Sequence, residues 1–300
     1  MKTYSYQDCL DVSHRVNWRI DELLGGQEFD RNKNWLPQKL TGSTGVPWLN
    51  NDEKRKLTHI EMGSYAHLFG YVEEFIAPKM TKLATEHEPE QTVAFQALTN
   101  FAAEEVKHMT LFRRVRDQVN ETLGTQLQLL DGEKEVAQFV LGKNEGAVLL
   151  LIACIEWFTQ YHFLSAIKDD GNLDSLTKRI FQAHWVEESQ HAKMDHNEAI
   201  RAFSKMNPNE KEEAMTDLIE LVQSVDGLLQ KQSEFDVENF SHYLGRIFSS
   251  AEKTELYEEI LKTKRWVFLE SGLTHPNFVE LFTYVTTPAQ RERISQALAA

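Results

Sequence analysis

The stretch HWVEESQH, residues 184–191, places two histidines and two glutamates within eight positions. Positions i, i+4 and i+7 of a helix share one face, so His184, Glu188 and His191 project together. Carboxylate oxygen and imidazole nitrogen on one stripe suit iron or manganese, and no thiolate stands nearby to favour a softer metal. Glu188–His191 is one of two Glu-x-x-His pairs, the other being Glu105–His108 in EVKH. Each pair is preceded by a further acid, Glu104 or Glu187. Each also follows a lone glutamate, in VEEF (72–75) and IEWF (155–158), at one spacing of 32 residues (105 − 73 and 188 − 156). The two sets are related by a constant offset of 83 (156 − 73, 188 − 105, 191 − 108). The chain therefore reads as two copies of one helix pair, each supplying a lone Glu and a Glu-x-x-His.

The offset selects Glu73 over Glu74, because Glu73 is the counterpart of Glu156. Met62, Phe69, Ile76 and Met80 also lie nearer Glu73 on a helical wheel. Four carboxylates facing one another in a bundle would repel strongly at low dielectric. Two divalent cations neutralise them. Glu104 and Glu187 read as acids that each accept the second N–H of a ligating histidine, with Asp195 competing for that role. The competing view of the six-residue set is two accidental pairs on solvated faces; the apolar run around Glu156 argues against it. For His184 the competing view is a packing histidine. His59, His67, His162 and His196 read as surface or structural residues, and Trp157 and Trp185 as core rather than as an electron relay.

The elements that must position these residues are helical throughout. Strand and hairpin signals are scarce, while 3.6-residue periodicity is pervasive. A first helix is expected over 6–24, ending at Gly25-Gly26, followed by the turn-rich segment NWLPQKLTGSTGVPW. Long helices are expected over about 52–86 with Asn51 as cap, 90–123 ending at Gly124, 146–168 with Gly171 as C-cap, and 173–205. A short helix over about 133–141 lies in the connection between the second and third, which is long enough for a crossover. This is an all-α, ferritin-like four-helix bundle with additional N- and C-terminal helices. The expected organisation is a single domain over 1–300, with a metal-binding core at 52–205 and a helical C-terminal extension at 206–300 whose last helix opens at Thr287-Pro288.

Composition limits the function classes. The formal net charge of −14 disfavours a nucleic-acid substrate and argues mildly against an acidic carrier protein, absent a local basic patch. The apolar run AVLLLIACI (147–155) is too short to span a membrane and reads as a core helix. Cys9 and Cys154 form no CxxC, the N-terminus lacks a signal-peptide pattern, and a cytoplasmic location is expected.

Glu73, Glu105, His108, Glu156, Glu188 and His191 resemble the ligand set of the ferritin-like di-iron carboxylate superfamily over roughly 52–205. The histidine four residues before the second Glu-x-x-His glutamate resembles the p-aminobenzoate N-oxygenase (arylamine oxygenase) family, in which a histidine there is a seventh ligand. The resemblance implies Glu73, Glu105, His108, Glu156, His184, Glu188 and His191 as metal ligands. Where the family has aspartate before the first Glu-x-x-His, this chain has Glu104. It further implies an oxygenase with two iron ions (Fe/Fe, with Mn/Fe as the alternative) and O2 as co-substrate. The substrate would be a small organic molecule, oxygenated at an amine nitrogen or hydroxylated. An external electron donor of reductase or ferredoxin type is implied, and a homodimer is compatible. The alternatives are iron or manganese storage or peroxide detoxification, which a 300-residue chain with a long helical tail fits poorly, and a vestigial site kept as a structural metal clamp. No local motif encodes the substrate.

Overall fold

A computed structural model describes residues 2–88 and 90–299. In chain order the helices are α1 (Tyr6–Arg15), α2 (Ile20–Leu24), α3 (Asn51–Ala84), α4 (Thr92–Leu123), α5 (Glu133–Leu141), α6 (Glu145–His162), α7 (Ser175–Lys205), α8 (Pro208–Leu244), α9 (Ser250–Arg265), α10 (Ser271–Leu273), α11 (Pro276–Val285) and α12 (Pro288–Ala299). No strand occurs among the described residues; a single parallel bridge pairs Asn34 with Leu173. Helix α3 packs along α4 and α6 along α7, with the crossover carrying α5 against α3. This is the ferritin-like bundle anticipated from the periodicity.

Local chemistry fixes the helix ends. Asn50, not Asn51, caps α3: its side chain accepts from the backbone N–H groups of Asp52 (2.9 Å) and Glu53 (3.0 Å), and Glu53 returns a bond to the Asn50 N–H. Asn144 caps α6 and Asp174 caps α7. Gly124 ends α4 with φ of +73°, a left-handed cap that suits glycine. Gly171 does not cap α6. The helix instead widens into a π-helical turn over Phe163–Ile167, closed by a bond from Lys168 N–H to Phe163 C=O (2.9 Å), and a second such turn over Trp266–Glu270 follows α9. The expected first helix is broken between Arg15 and Ile20, and Trp18 from the break lies over α4. Helix α6 is apolar enough to cross a membrane by composition, yet 89% of that window is buried inside the protein, so it is a core helix.

The turn-rich segment over 34–48 is largely buried: Trp35 and Leu36 are inaccessible. Its backbone is satisfied by the start of α7 through Asn34 N–H to Asn172 C=O (3.2 Å) and Asp174 N–H to Asn34 C=O (2.8 Å). Residues 206–299 wrap the bundle. Helix α8 lies along α6 and α3, and a hydrophobic core runs without interruption from Cys9 to Ile294. Lys264 of α9, fully buried, sits 2.9 Å from Asp236 of α8 and 3.8 Å from Glu61 of α3, pinning three helices at one charged point.

Gly272 of α10 sits against α6. A Cβ there would fall 2.4 Å from the Cys154 carbonyl oxygen and 2.6 Å from its sulfur. Gly272→Ala is therefore expected to destabilise the fold by about 1–3 kcal/mol through overpacking, read as a lower denaturant midpoint; an unchanged midpoint would mean that α10 shifts freely.

Candidate metal centre

Each of the four long helices brings inward the residue its period dictates. Glu73 comes from α3, Glu105 and His108 from α4, Glu156 from α6, and His184, Glu188 and His191 from α7; all seven are buried to 2% exposure or less. Ligand-capable atoms gather in two overlapping groups, Glu73–His108–His184–Glu188 and Glu105–His108–Glu188–His191. Glu188 is shared. Its Oε1 lies 2.7 Å from His184 Nε2 and 2.9 Å from His108 Nδ1, and its Oε2 lies 2.8 Å from His191 Nδ1. Glu105 Oε1 is 2.8 Å from His191 Nδ1 and 3.7 Å from His108 Nδ1. Glu73 Oε1 is 3.6 Å from His184 Nε2. Glu156 stands against Glu188. Glu74, its register set by Glu73, turns outward to pair with Arg113.

The acids beside the Glu-x-x-His pairs work across the bundle. Glu187 of α7 accepts from His108 Nε2 of α4 (2.8 Å), and Glu104 of α4 accepts from His191 Nε2 of α7 (2.8 Å). A carboxylate only accepts, so each Nε2 carries hydrogen and each Nδ1 is turned toward the cluster. The acids are themselves held: Lys107 Nζ lies 2.5 Å from Glu187 Oε1, while Ser13 Oγ and Gln190 Nε2 donate to Glu104 (2.7 and 2.8 Å). Asp195, the competing candidate for this role, is buried and bonds neither histidine.

Aromatic rings close the site. Phe101, the counterpart of His184 at the 83-residue offset (184 − 83), stacks on His191 at 3.7 Å and 15°. His184 sits edge-on between Phe112 (4.9 Å) and Phe69 (5.5 Å). Trp18 lies parallel to His108 at 5.9 Å, beneath Lys107. Ser13 and Trp18 carry no sequence signal for this role, because α1 and the break after it reach the site only through packing. Trp157 stacks on His275 and Trp185 on Phe163, both as packing. His59, His67 and His196 bond backbone carbonyls, and His162 bridges Tyr65 and Ser271, so these four are structural, as read from the sequence.

The electrostatics are those of a concentrated acid–imidazole cluster. Burial pushes Glu73 up to about 8. Burial, then the Glu188 charge, pushes Glu156 well above the carboxylate range. Burial would raise Glu188 as well, but His184, His191 and His108 hold it well below. Burial opposes charge on His108 and His191, yet Glu188 together with the neighbouring carboxylates (Glu105 and Glu187 for His108, Glu104 and Glu105 for His191) outweighs it and holds both well above their ordinary value.

The donor set fits a pair of divalent cations. Both Glu73 oxygens, Glu105 Oε1, Glu156 Oε2, His108 Nδ1 and both His184 nitrogens are buried without a well-directed hydrogen bond. Such orphaned groups cost stability unless something binds them. Four carboxylates match four positive charges, and oxygen with imidazole nitrogen is iron and manganese chemistry.

A family model described as P-aminobenzoate N-oxygenase AurF matches residues 16–252. No curated protein matches the chain. Among solved structures, an R2-like ligand-binding oxidase with aerobically reconstituted Mn/Fe cofactor aligns at 12% identity over 88% of this chain and 93% of that one, with a TM-score of 0.47. A valine-to-isoleucine variant of an R2-like ligand-binding oxidase aligns at 14% identity over 98% and 94%, with a TM-score of 0.42.

Proposed function

The chain belongs to the p-aminobenzoate N-oxygenase family, and from that premise we propose that it oxygenates a small amine at nitrogen, using O2 at a di-iron centre held by Glu73, Glu105, His108, Glu156, His184, Glu188 and His191. It is an oxygenase with a di-metal site, not a storage protein. The observation that supports the ligand assignment is the gathering of three carboxylates and three imidazoles in two overlapping buried groups, with a fourth carboxylate, Glu156, against Glu188 and orphaned buried atoms among them. Fe/Fe is the proposed pair, with Mn/Fe accepted by the same donors. Electrons come from an external reductase or ferredoxin-type donor. We place the protein in the cytoplasm as one domain, with both cysteines buried and reduced.

When bound, the two metals supply the electrons and open positions for dioxygen activation. The protein's own contribution is positional. Glu187 and Glu104 hold His108 and His191 in the tautomer that leaves Nδ1 free toward the cluster. Phe69, Phe101 and Phe112 exclude water around the imidazoles. Glu188, which reaches all three histidines, ties α4 to α7 at the centre.

The decisive measurement is metal content. Anaerobic loading with ferrous iron should give about two irons per chain, and none retained would overturn the reading. Glu187→Ala should weaken iron binding by about 10–100-fold in chelator competition, as removal of a ligand's hydrogen-bond partner does. An unchanged affinity would make the Glu187–His108 bond incidental.

A further inference from the structure

The 83-residue offset that relates the ligands also relates the residues behind them. Lys107 and Gln190 are counterparts (190 − 107), as are Glu104 and Glu187 (187 − 104). Each of the first two donates across the bundle to the acid of the opposite helix. Lys107 Nζ lies 2.5 Å from Glu187 Oε1, and Gln190 Nε2 donates to Glu104 Oε2 at 2.8 Å. Each acid in turn accepts from the Nε2–H of one histidine, His108 or His191. The two chains of bonds run alike, Lys107–Glu187–His108 and Gln190–Glu104–His191. They differ in charge, because one begins at an ammonium and the other at a neutral amide. Ser13 Oγ, the further donor to Glu104 at 2.7 Å, is neutral too, and no Lys or Arg pairs with Glu104 among the described residues.

A carboxylate that accepts from an imidazole N–H raises the donor strength of the other ring nitrogen. An ammonium on that carboxylate takes up its charge and reduces the effect, and it repels a nearby dication. Screening by water is limited here. Glu187 is inaccessible and the Lys107 side chain is 24% exposed. Lys107 Nζ also sits 4.0 Å from the centre of the Trp18 ring, whose plane parallels that of His108. Glu104, held by neutral donors, keeps its negative charge for His191. His108, and not His191, belongs to the group that contains His184. The half that gains an extra nitrogen is thus the half whose outer carboxylate is neutralised.

We infer that Lys107 and Gln190 make the two metal positions electrically unequal: Lys107, acting through Glu187, weakens the hold of His108 on its metal, while Gln190 leaves His191 a strong donor. The inference rests on the di-metal reading above, but not on which substrate is oxygenated. The test titrates metal-free protein with cobalt(II), which accepts the same donors as ferrous iron. The paramagnetically shifted Nε2–H signal of each histidine then reports its own metal. Glu187→Gln and Glu104→Gln identify the two signals by moving one each. Lys107→Gln should tighten cobalt at the His108 signal by about tenfold and leave the His191 signal in place. Gln190→Lys should weaken cobalt at the His191 signal by a similar factor. Lys107→Arg, which keeps the charge, should titrate as the unsubstituted chain does. The direction of each change carries the test rather than the order of filling, because His184 favours the half that Lys107 weakens. Gln190 is inaccessible beneath α1. Where Gln190→Lys lowers the melting temperature, Lys107→Met, which keeps the aliphatic stem and drops the charge, supplies the second substitution and should behave as Lys107→Gln does. Equal changes at both signals, no change at either, or Lys107→Arg behaving as Lys107→Gln would each overturn the inference. Absence of shifted signals in the unsubstituted chain would sink the di-metal reading and this inference with it; two signals that ignore the substitutions sink the inference alone.

Discussion

Glu188→Ala should reduce bound iron from about two per chain to nearly none. Among the described residues Glu188 is the carboxylate that approaches all three site histidines, at 2.7, 2.8 and 2.9 Å, and it belongs to both ligand groups. Truncation therefore removes one donor from each half of the centre, and one negative charge from a set whose four charges balance two divalent cations. Loss of Glu73 or Glu156 removes a donor from one side alone. Glu156→Ala is accordingly expected to abolish the two-metal state while leaving weak binding of a single ion. The measurement is iron per chain after anaerobic loading and desalting, with circular dichroism as the control for folding. Helix content should be retained, because the bundle is held by apolar packing along its full length and α7 keeps its Asp174 cap. Two irons in folded Glu188→Ala would show that the centre is organised around another residue.

Much of the centre is legible in the sequence because a helix has a fixed period. The 83-residue offset pairs Glu73 with Glu156, Glu105 with Glu188 and His108 with His191; the structure gathers five of these six in two overlapping groups and sets Glu156 against Glu188. What the period cannot give is which helix faces which. Glu104 and Glu187 are recognisable as acids beside Glu-x-x-His, but their crossing onto the histidine of the opposite helix is set by the packing of α4 against α7. The break between Arg15 and Ile20 has no glycine or proline to mark it; it places Trp18 over His108 and Lys107, contacts more than eighty residues away in sequence. The choice of Asn50 over Asn51 is similar on a smaller scale. Adjacent asparagines have equal capping propensity, and the one whose oxygen reaches two N–H groups and whose own N–H meets Glu53 is decided by the geometry of the turn.

His184→Phe should keep both metals and lose most of the oxygenation, by at least the ~10–100-fold seen when even a supporting partner of a metal ligand is removed. The substitution makes the two halves alike, because Phe101 already occupies the equivalent position on α4. There the ring stacks on His191 and offers no donor. His184 instead turns Nε2 to within 2.7 Å of Glu188 and 3.6 Å of Glu73, with both ring nitrogens lacking a well-directed hydrogen bond inside a box formed by Phe69, Phe112 and His108. A histidine kept only for packing would satisfy a nitrogen on backbone, as His59, His67 and His196 do. Phenylalanine is close to histidine in shape, so with an unchanged melting temperature a fall in activity would report the missing nitrogen rather than a collapsed core. Metal content, melting temperature and the electronic spectrum of the loaded protein separate these outcomes. Two irons, an unchanged melting temperature and a shifted spectrum with slow turnover identify His184 as the added ligand of one metal. Unchanged spectrum and turnover would return it to packing.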